Sequence, residues 1–384
     1  MKNKIIRTAT VALSLDVLLK GQLSFLNNYF NIIAVSGEDN HLKEVREREK
    51  VKTIDVALQR QIAPLKDIIS LYKLYKILKK EKPIIVHSIT PKAGLLTMIA
   101  GYFARVPIRI HTFTGLIFPT KTGFSRKLLI TMDKILCLFA TNIYPEGNGV
   151  KNDLLKYKIT KKPLNIIANG NVNGIDLDYF KTSLFSLNQN NELKKELEIQ
   201  QTDFVFIFIG RLVKDKGINE LIEAFLMLQE NNKKVKLLLV GPLEQNLNPI
   251  KETTLSKIIN NKSILNVGYK NDVRPYLAIA NCLVFPSYRE GFPNVVLQAG
   301  AMGLPSIVSN INGCNEIIKH NYNGLILPVK DKNAIFAAMN LIIDNTILYE
   351  TLKSNARQNI ESNYDQKLVW NEILNEYNTL LKNV

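Results

Sequence analysis

Short apolar runs of strand length recur along this chain, and nearly every one is followed by a turn and then a stretch of helical period. In the first half, Ile5–Ala12, Asn31–Val35, Ile84–His87, Ile108–Thr112, Asn142–Tyr144 and Asn165–Ala168 read as strands. Leu18–Asn27, Leu65–Lys80, Ala93–Phe103, Arg126–Ala140 and Val150–Tyr157 read as helices between and after them. The alternation restarts at Phe204–Ile209. It continues through the helix Ile218–Gln229, the strand Val235–Val240, a helix near Leu255–Ile259 and the strands Ile264–Val267, Cys282–Phe285 and Ser306–Val308, before two closing helices. Such a chain folds as parallel sheets covered by helices, because consecutive parallel strands need a long crossover that is usually helical. A polar segment, Ser186–Glu192, contains few core formers and marks the neighbourhood of a domain change. With 384 residues there is room for two domains. The fold class is α/β, with two doubly wound Rossmann-like halves facing a cleft. Ligands of such sheets bind at the carboxyl ends of the strands.

Charge is unevenly spread. Residues 1–200 hold 31 Lys and Arg against 17 Asp and Glu, whereas residues 201–384 hold 19 against 17. The first half is therefore the one expected to meet something anionic, unless a genome bias toward Lys and Asn accounts for it. The three cysteines are scattered and show no metal or disulfide spacing, which fits a reducing compartment. No signal peptide and no uncharged run of about 20 apolar residues is visible. The expectation is a cytoplasmic protein, peripheral on the inner face of the cell membrane.

The segment Ser287–Pro305 carries the strongest chemical signal. An apolar strand leads into a loop with one acid, Glu290, on a Gly291-Phe292-Pro293 corner, and a short helix starts at Asn294. A helix N-terminus suits phosphate, and a single carboxylate beside it suits neutral hydroxyls. A sugar nucleotide has both parts. Gly210–Gly217 sits in an equivalent place, after the strand Phe204–Ile209. Gly210 allows close backbone approach. Arg211 and Lys216 can converge on one diphosphate, as a fork and a point charge; alone, the loop reads equally well as a solvated basic turn.

These segments resemble the retaining family 4 glycosyltransferases of the GT-B fold. The family signature is a Glu, seven residues, then a second Glu; here the first is Glu290 and the second position holds Gln298. The loop with Arg211 and Lys216 resembles the family's Arg-x4-Lys diphosphate site. The turn after Gly268 is where relatives touch the base, which makes Tyr269 and Lys270 candidates. Asn312–Glu316 resembles the loop that lines the donor site, though Glu316 could instead serve its own helix start. The resemblance implies domains over 1–180 (acceptor) and 181–364 (donor), with a closing helix over 365–384 returning to the first domain. It also implies metal-free transfer, with no cofactor, in which Glu290, Arg211 and Lys216 act at the reaction centre and Gly210, Gly291, Phe292, Pro293, Asn294, Gln298 and Asn312 hold the donor. Asp176-x-Asp178 has the spacing of a metal-binding acid pair, but matches the family's linker instead.

On the acceptor side, Val86–Leu96 and Arg109–Pro119 resemble a subgroup that acts on lipid-linked sugars. Relatives place a His where this chain has Thr114; His111 stands three residues earlier. Ser14, Lys20, Lys92, His111 and Thr114 are the acceptor candidates. A satisfied strand-end role is open for His111 and His87, as is a plain surface role for Lys92. Leu65–Lys82 is a basic amphipathic helix, expected to turn its apolar face inward and its lysines toward anionic lipid. The implied partners are a nucleoside-diphosphate sugar, a lipid-linked saccharide and an anionic membrane surface. A sugar-nucleotide epimerase of the same fold would need an acid or His cluster that the first half lacks. A nucleic-acid-binding protein would set exposed aromatics beside its basic patches, whereas the aromatics here mostly fall in apolar periods, so no nucleic acid is expected.

Overall fold

The computed structural model describes residues 2–59, 63–231, 234–246 and 248–383. The chain forms two compact units, Met1–Gly174 together with Gln366–Val384, and Ile175–Asp365.

The first unit is built on β1 (Lys4–Thr8), β2 (Asn31–Ser36), β3 (Lys52–Asp55), β4 (Ile85–Ser88), β5 (Ile108–Phe113) and β6 (Asn142–Pro145). They lie in the order β3-β2-β1-β4-β5-β6, all parallel. Branched aliphatic residues dominate because both faces are covered. Ile5 and Ile6 are fully buried, and Ile6 sits between Ile33 and Val86 in register. The second unit repeats the plan with β7 (Phe204–Ile209), β8 (Val235–Val240), β9 (Ile264–Gly268), β10 (Cys282–Phe285), β11 (Ser306–Ser309) and β12 (Gly324–Leu327), in the order β12-β11-β10-β7-β8-β9. In each sheet the order reverses beside the first strand, and that switch point is where a parallel sheet leaves room for a ligand.

Several elements differ from the expectation. The helix over Leu18–Asn27 is two helices, Ala12–Leu18 and Gln22–Asn27, separated at Gly21. Asn165–Ala168 is not a strand; neighbouring Leu164 makes a single bridge to Ile143. The polar segment after Phe185 is a helix, Leu187–Glu196, closed by a capping box between Ser186 and Gln189. A helix over Asn40–Glu49, capped by Asp39, also went unread, as did β3, β12 and Arg274–Ala278.

The helix Pro64–Glu81 corrects a sharper expectation. It buries Ser70, Leu74 and Leu78, but Leu65, Ile68, Ile69 and Tyr72 all lie more than half exposed. Its first half turns apolar side chains outward, alongside exposed Lys66, Lys73 and Lys76. Among the described residues, no helix is long and apolar enough to cross a membrane.

Three helices close the chain, Lys332–Asp344, Thr346–Tyr364 and Gln366–Leu381. The last packs on Gln22–Asn27 in the first unit. Its Tyr377 is fully buried and meets the buried Arg7 (3.0 Å) and His87 Nδ1 (2.6 Å) through its hydroxyl.

Candidate active site

In the second unit the strand ends bring the motif loops together. Gly210 donates its N–H to the Val240 carbonyl at 2.9 Å, and Gly241 donates to the Gly268 carbonyl at 2.8 Å. The ends of β7, β8 and β9 therefore form a continuous rim of backbone. After Gly210 the chain makes a short 3-10 turn, Lys214–Lys216, before the helix Ile218–Asn231. This loop is joined to the one after β10, where the Tyr288 N–H donates to the Asp215 carbonyl at 2.8 Å. The Tyr288 hydroxyl reaches Glu220 at 2.6 Å, and burial together with that carboxylate raises the phenol well above its ordinary pKa.

That joint brings Lys216 to Glu290. Lys216 Nζ forms an ion pair with Glu290 Oε1, and Ser287 Oγ donates to the same oxygen at 2.7 Å. The ammonium also lies over the Phe285 ring, 5.2 Å from its centroid. Both members of the pair are mostly buried, with 19% and 16% of their side chains exposed. Arg211 is more open and pairs with Glu244, from the loop after β8. Arg211 and Lys216 are thus each held by a carboxylate.

The loop after β11 closes on the same corner. Gly313 has φ +74°, and a Cβ there would sit 2.4 Å from the Gly291 carbonyl oxygen and 2.7 Å from Phe292 Cα. Only glycine allows this approach, which sets Asn312 beside the start of the helix Asn294–Ala301. Glu316 accepts from the Gly313 N–H at 3.2 Å, so it serves its own helix start. The Asn294 helix begins at Pro293 with no side-chain cap and no acid in its first turn. Phe292 is buried against Tyr364, and Pro293 is also buried, so what this corner offers a ligand is backbone. Gln298 lies one helical turn on, partly exposed, and its side-chain amide makes no hydrogen bond to another described residue. Tyr269 is 69% exposed, and Lys270 lies over the Tyr276 ring at 5.6 Å. Asp176 turns its carboxylate to the N–H groups of Asp178 and Tyr179, closing a turn.

The first-unit candidates separate. His111 is fully buried, with Nδ1 2.8 Å from Ser88 Oγ. A Cβ on Gly94 would lie 2.5 Å from its ring, so the imidazole sits under the helix Pro91–Phe103 and not at an acceptor. Burial lowers its pKa to about 3, which keeps the ring neutral. His87 is equally buried between Tyr377 and Thr112. Thr114 donates to the Ile89 carbonyl at 2.9 Å. Lys20 is exposed, and its carbonyl accepts from Asn173. Lys92 is not a surface lysine: it is 7% exposed and ion-paired with Asp67 at 2.8 Å. Lys92 and Ser14 line a cavity of about 300 Å³ whose wall also includes Asp133.

Sequence reasoning missed Glu244 and Asp133. Glu244 stands three residues beyond Gly241, the glycine that ends β8 in the way Gly210 ends β7, and that parallel was the available signal. Asp133 lies mid-helix among apolar residues and gave none.

Comparison with known proteins decides the family. The pattern described as Glycosyl transferases group 1 matches residues 189–359, and the one described as Glycosyl transferase 4-like matches residues 11–146. Over its full length the chain is 33% identical to the capsular polysaccharide biosynthesis glycosyltransferase CapM of Staphylococcus aureus, covering 99% of that protein. The chain belongs to the family 4 glycosyltransferases. A second relative of this glycosyltransferase is the UDP-Gal:alpha-D-GlcNAc-diphosphoundecaprenol alpha-1,3-galactosyltransferase of Escherichia coli, 30% identical over 88% of the enzyme and 86% of the relative. The enzyme's fold matches Anabaena Alr3699/HepE, solved with UDP and glucose, at a TM-score of 0.82 and 17% identity, over 98% of the enzyme and 99% of that chain. The architecture is therefore GT-B.

Proposed function

We propose that the enzyme moves a hexose or N-acetylhexosamine, with retention, from a UDP-linked donor to a lipid-diphosphate-linked saccharide in surface polysaccharide assembly. The observation that carries this reading is the meeting of Lys216, Glu290 and the uncapped Asn294 helix at one corner of the second sheet. The acceptor class is supported by the lipid-diphosphate substrate named for the Escherichia coli relative, together with the basic first unit.

In this scheme the donor diphosphate exchanges with the resident carboxylates. Lys216 leaves Glu290 and Arg211 leaves Glu244, and both turn to the phosphates with the N–H groups of the Asn294 helix start. They stabilise the charge that develops as the glycosidic bond breaks, where fixed donors act most strongly. Glu290, released from Lys216, accepts from sugar hydroxyls. Gln298 accepts from and donates to the ribose as a neutral amide. The acceptor hydroxyl attacks from the face that the diphosphate leaves, and the departing phosphate takes its proton. Tyr269, Lys270 and Asn312 border the base and the sugar. The outward apolar residues of Pro64–Glu81, flanked by lysines, rest on the anionic inner face of the membrane.

The test is a panel of UDP-sugars incubated with purified enzyme and a detergent-solubilised lipid-diphosphate sugar, read by mass spectrometry. The expected product is the acceptor plus one hexosyl or N-acetylhexosaminyl unit in α linkage. No product with any donor, or a β-linked product, overturns the reading.

A further inference from the structure

We propose that the cavity of the first unit seats an N-acetylated amino-sugar residue of the acceptor, and that Asp133 is the residue that selects it. This rests on the acceptor reading above and names the part of the acceptor that the enzyme reads.

The cavity holds about 300 Å³, at the small end of ligand pockets, which suits one sugar unit rather than a long chain. Its walls are of two kinds. Leu95, Ile117 and Leu129 supply apolar surface, and Thr10, Thr90 and Asp133 supply polar groups. The threonine hydroxyls already hold each other at 2.7 Å, and Thr10 Oγ1 also accepts from the Ala93 N–H at 3.1 Å. Asp133 is different: its carboxyl, half-buried at the cavity wall, has no hydrogen-bond partner among the described residues. Lys92, the cation of the same wall, is committed to Asp67. A carboxyl partly withdrawn from water with no protein donor beside it is improved by an arriving N–H or O–H. Burial raises its pKa to about 7, as expected of an acid waiting for a donor.

An acetamido group matches both walls at once. Its N–H donates to a carboxylate, and its methyl needs apolar surface. A bare hydroxyl at the same ring position satisfies the acid but leaves the apolar wall unfilled. A polyprenyl tail fills the apolar wall but sets hydrocarbon against the acid, which the tail cannot satisfy.

The experiment uses two synthetic probes, N-acetylglucosamine diphosphate and glucose diphosphate, each carrying a decyl chain. Binding is followed by saturation-transfer NMR and titration, without donor. For the wild type, the strongest saturation is expected on the acetyl methyl, with tighter binding of the N-acetylated probe. Asp133→Leu should weaken that probe by about tenfold or more and shrink the preference to within about twofold, as expected for loss of a hydrogen bond to a charged group. Asp133→Asn, which keeps the shape, should weaken it by several fold. UDP affinity measured by calorimetry should not change in either variant, which also certifies the fold of the second unit. Equal binding of the N-acetylated probe by wild type and both variants overturns the proposal. So does saturation centred on the decyl protons with decyl diphosphate competing as well as the full probe, which makes the cavity a tail site. The two readings fail separately. Binding that depends on Asp133 without sugar transfer from any donor sinks the transferase acceptor reading and leaves the cavity assignment standing. Transfer that proceeds with acceptor binding indifferent to Asp133 sinks the cavity assignment alone.

Discussion

Lys216→Met removes one ammonium and keeps most of the stem that lies over Phe285. Two separable losses follow. Glu290, with 16% of its side chain exposed, keeps only the Ser287 hydrogen bond and becomes a nearly buried carboxylate without its cation. Leaving such a group under-satisfied costs about 1–3 kcal/mol. For a unit of this size that lowers its melting temperature by about 2–4 °C per kcal/mol. Catalysis loses more. A fixed charge on the leaving group contributes on the order of 10²–10³ in turnover, or about 2.7–4 kcal/mol. The companion Lys216→Met/Glu290→Gln variant divides the two effects. The neutral amide still accepts from Ser287, so stability should recover by at least half, while transfer stays at least a hundredfold down. Thermal unfolding and initial rates of UDP release measure the pair. Wild-type turnover in folded Lys216→Met refutes the leaving-group role. No recovery of stability in the double variant refutes the ion pair itself.

Gln298→Glu should bind UDP equally or more tightly, because a carboxylate accepts strongly from ribose hydroxyls; calorimetry showing weakening by several fold removes Gln298 from the ribose. The buried His87 and His111 have pKa values below their ordinary 6.5, so the stability they allow is intact above pH 6.5 and lost as pH falls toward their folded values. Each contributes a slope of about 1.4 kcal/mol per pH unit. Asp133, raised from 3.8 to about 7, has the opposite sign, since the folded state keeps a proton that the unfolded chain has released. Between pH 5 and 6 the net slope should be about +1.4 kcal/mol per unit, roughly doubled in Asp133→Asn; a flat chemical-denaturation profile contradicts it. Replacing Ile68, Ile69 and Tyr72 with Ser should abolish binding to anionic vesicles, and Lys73, Lys76, Lys79 and Lys80 to Gln should make the residual binding insensitive to salt; unchanged flotation in both removes this helix from the membrane.

The alternation of strand and helix was legible because parallel strands covered on both faces must be apolar end to end, as Phe204–Ile209 is. The corner where Lys216 meets Glu290 was legible because it uses glycines and one acid at strand ends, where local chemistry and position coincide. What escaped was set by tertiary packing. Nothing local distinguishes His111, fully buried and set close under Gly94, from a strand-end His facing a ligand. The outward turn of Leu65, Ile68 and Ile69 depends on which arc of the helix meets the sheet, and periodicity gives the arc without its direction. Leu187–Glu196 was missed for its lack of core formers, although Ser186 and Gln189 spell a capping box. Partner carboxylates such as Glu244 are close only after β7 and β8 have paired.

The last helix belongs to the first unit, so the chain leaves that unit after Gly174 and re-enters it at Gln366. Within the second unit the two crossing points lie side by side, with the Ile175 N–H on the Tyr364 carbonyl at 2.8 Å and a parallel bridge from Ile175 to Asp365. The second unit is therefore topologically an insert with adjoining ends, begun and finished while the first is still incomplete. On a ribosome the two units mature out of order. The second has all its residues once residue 365 emerges, whereas Arg7 and His87, made well before it, wait for Tyr377, made after it. A stalled or clipped product lacking the final helix would carry a finished second unit and a first unit with an uncovered guanidinium, and cellular quality control has a specific unfinished surface to read.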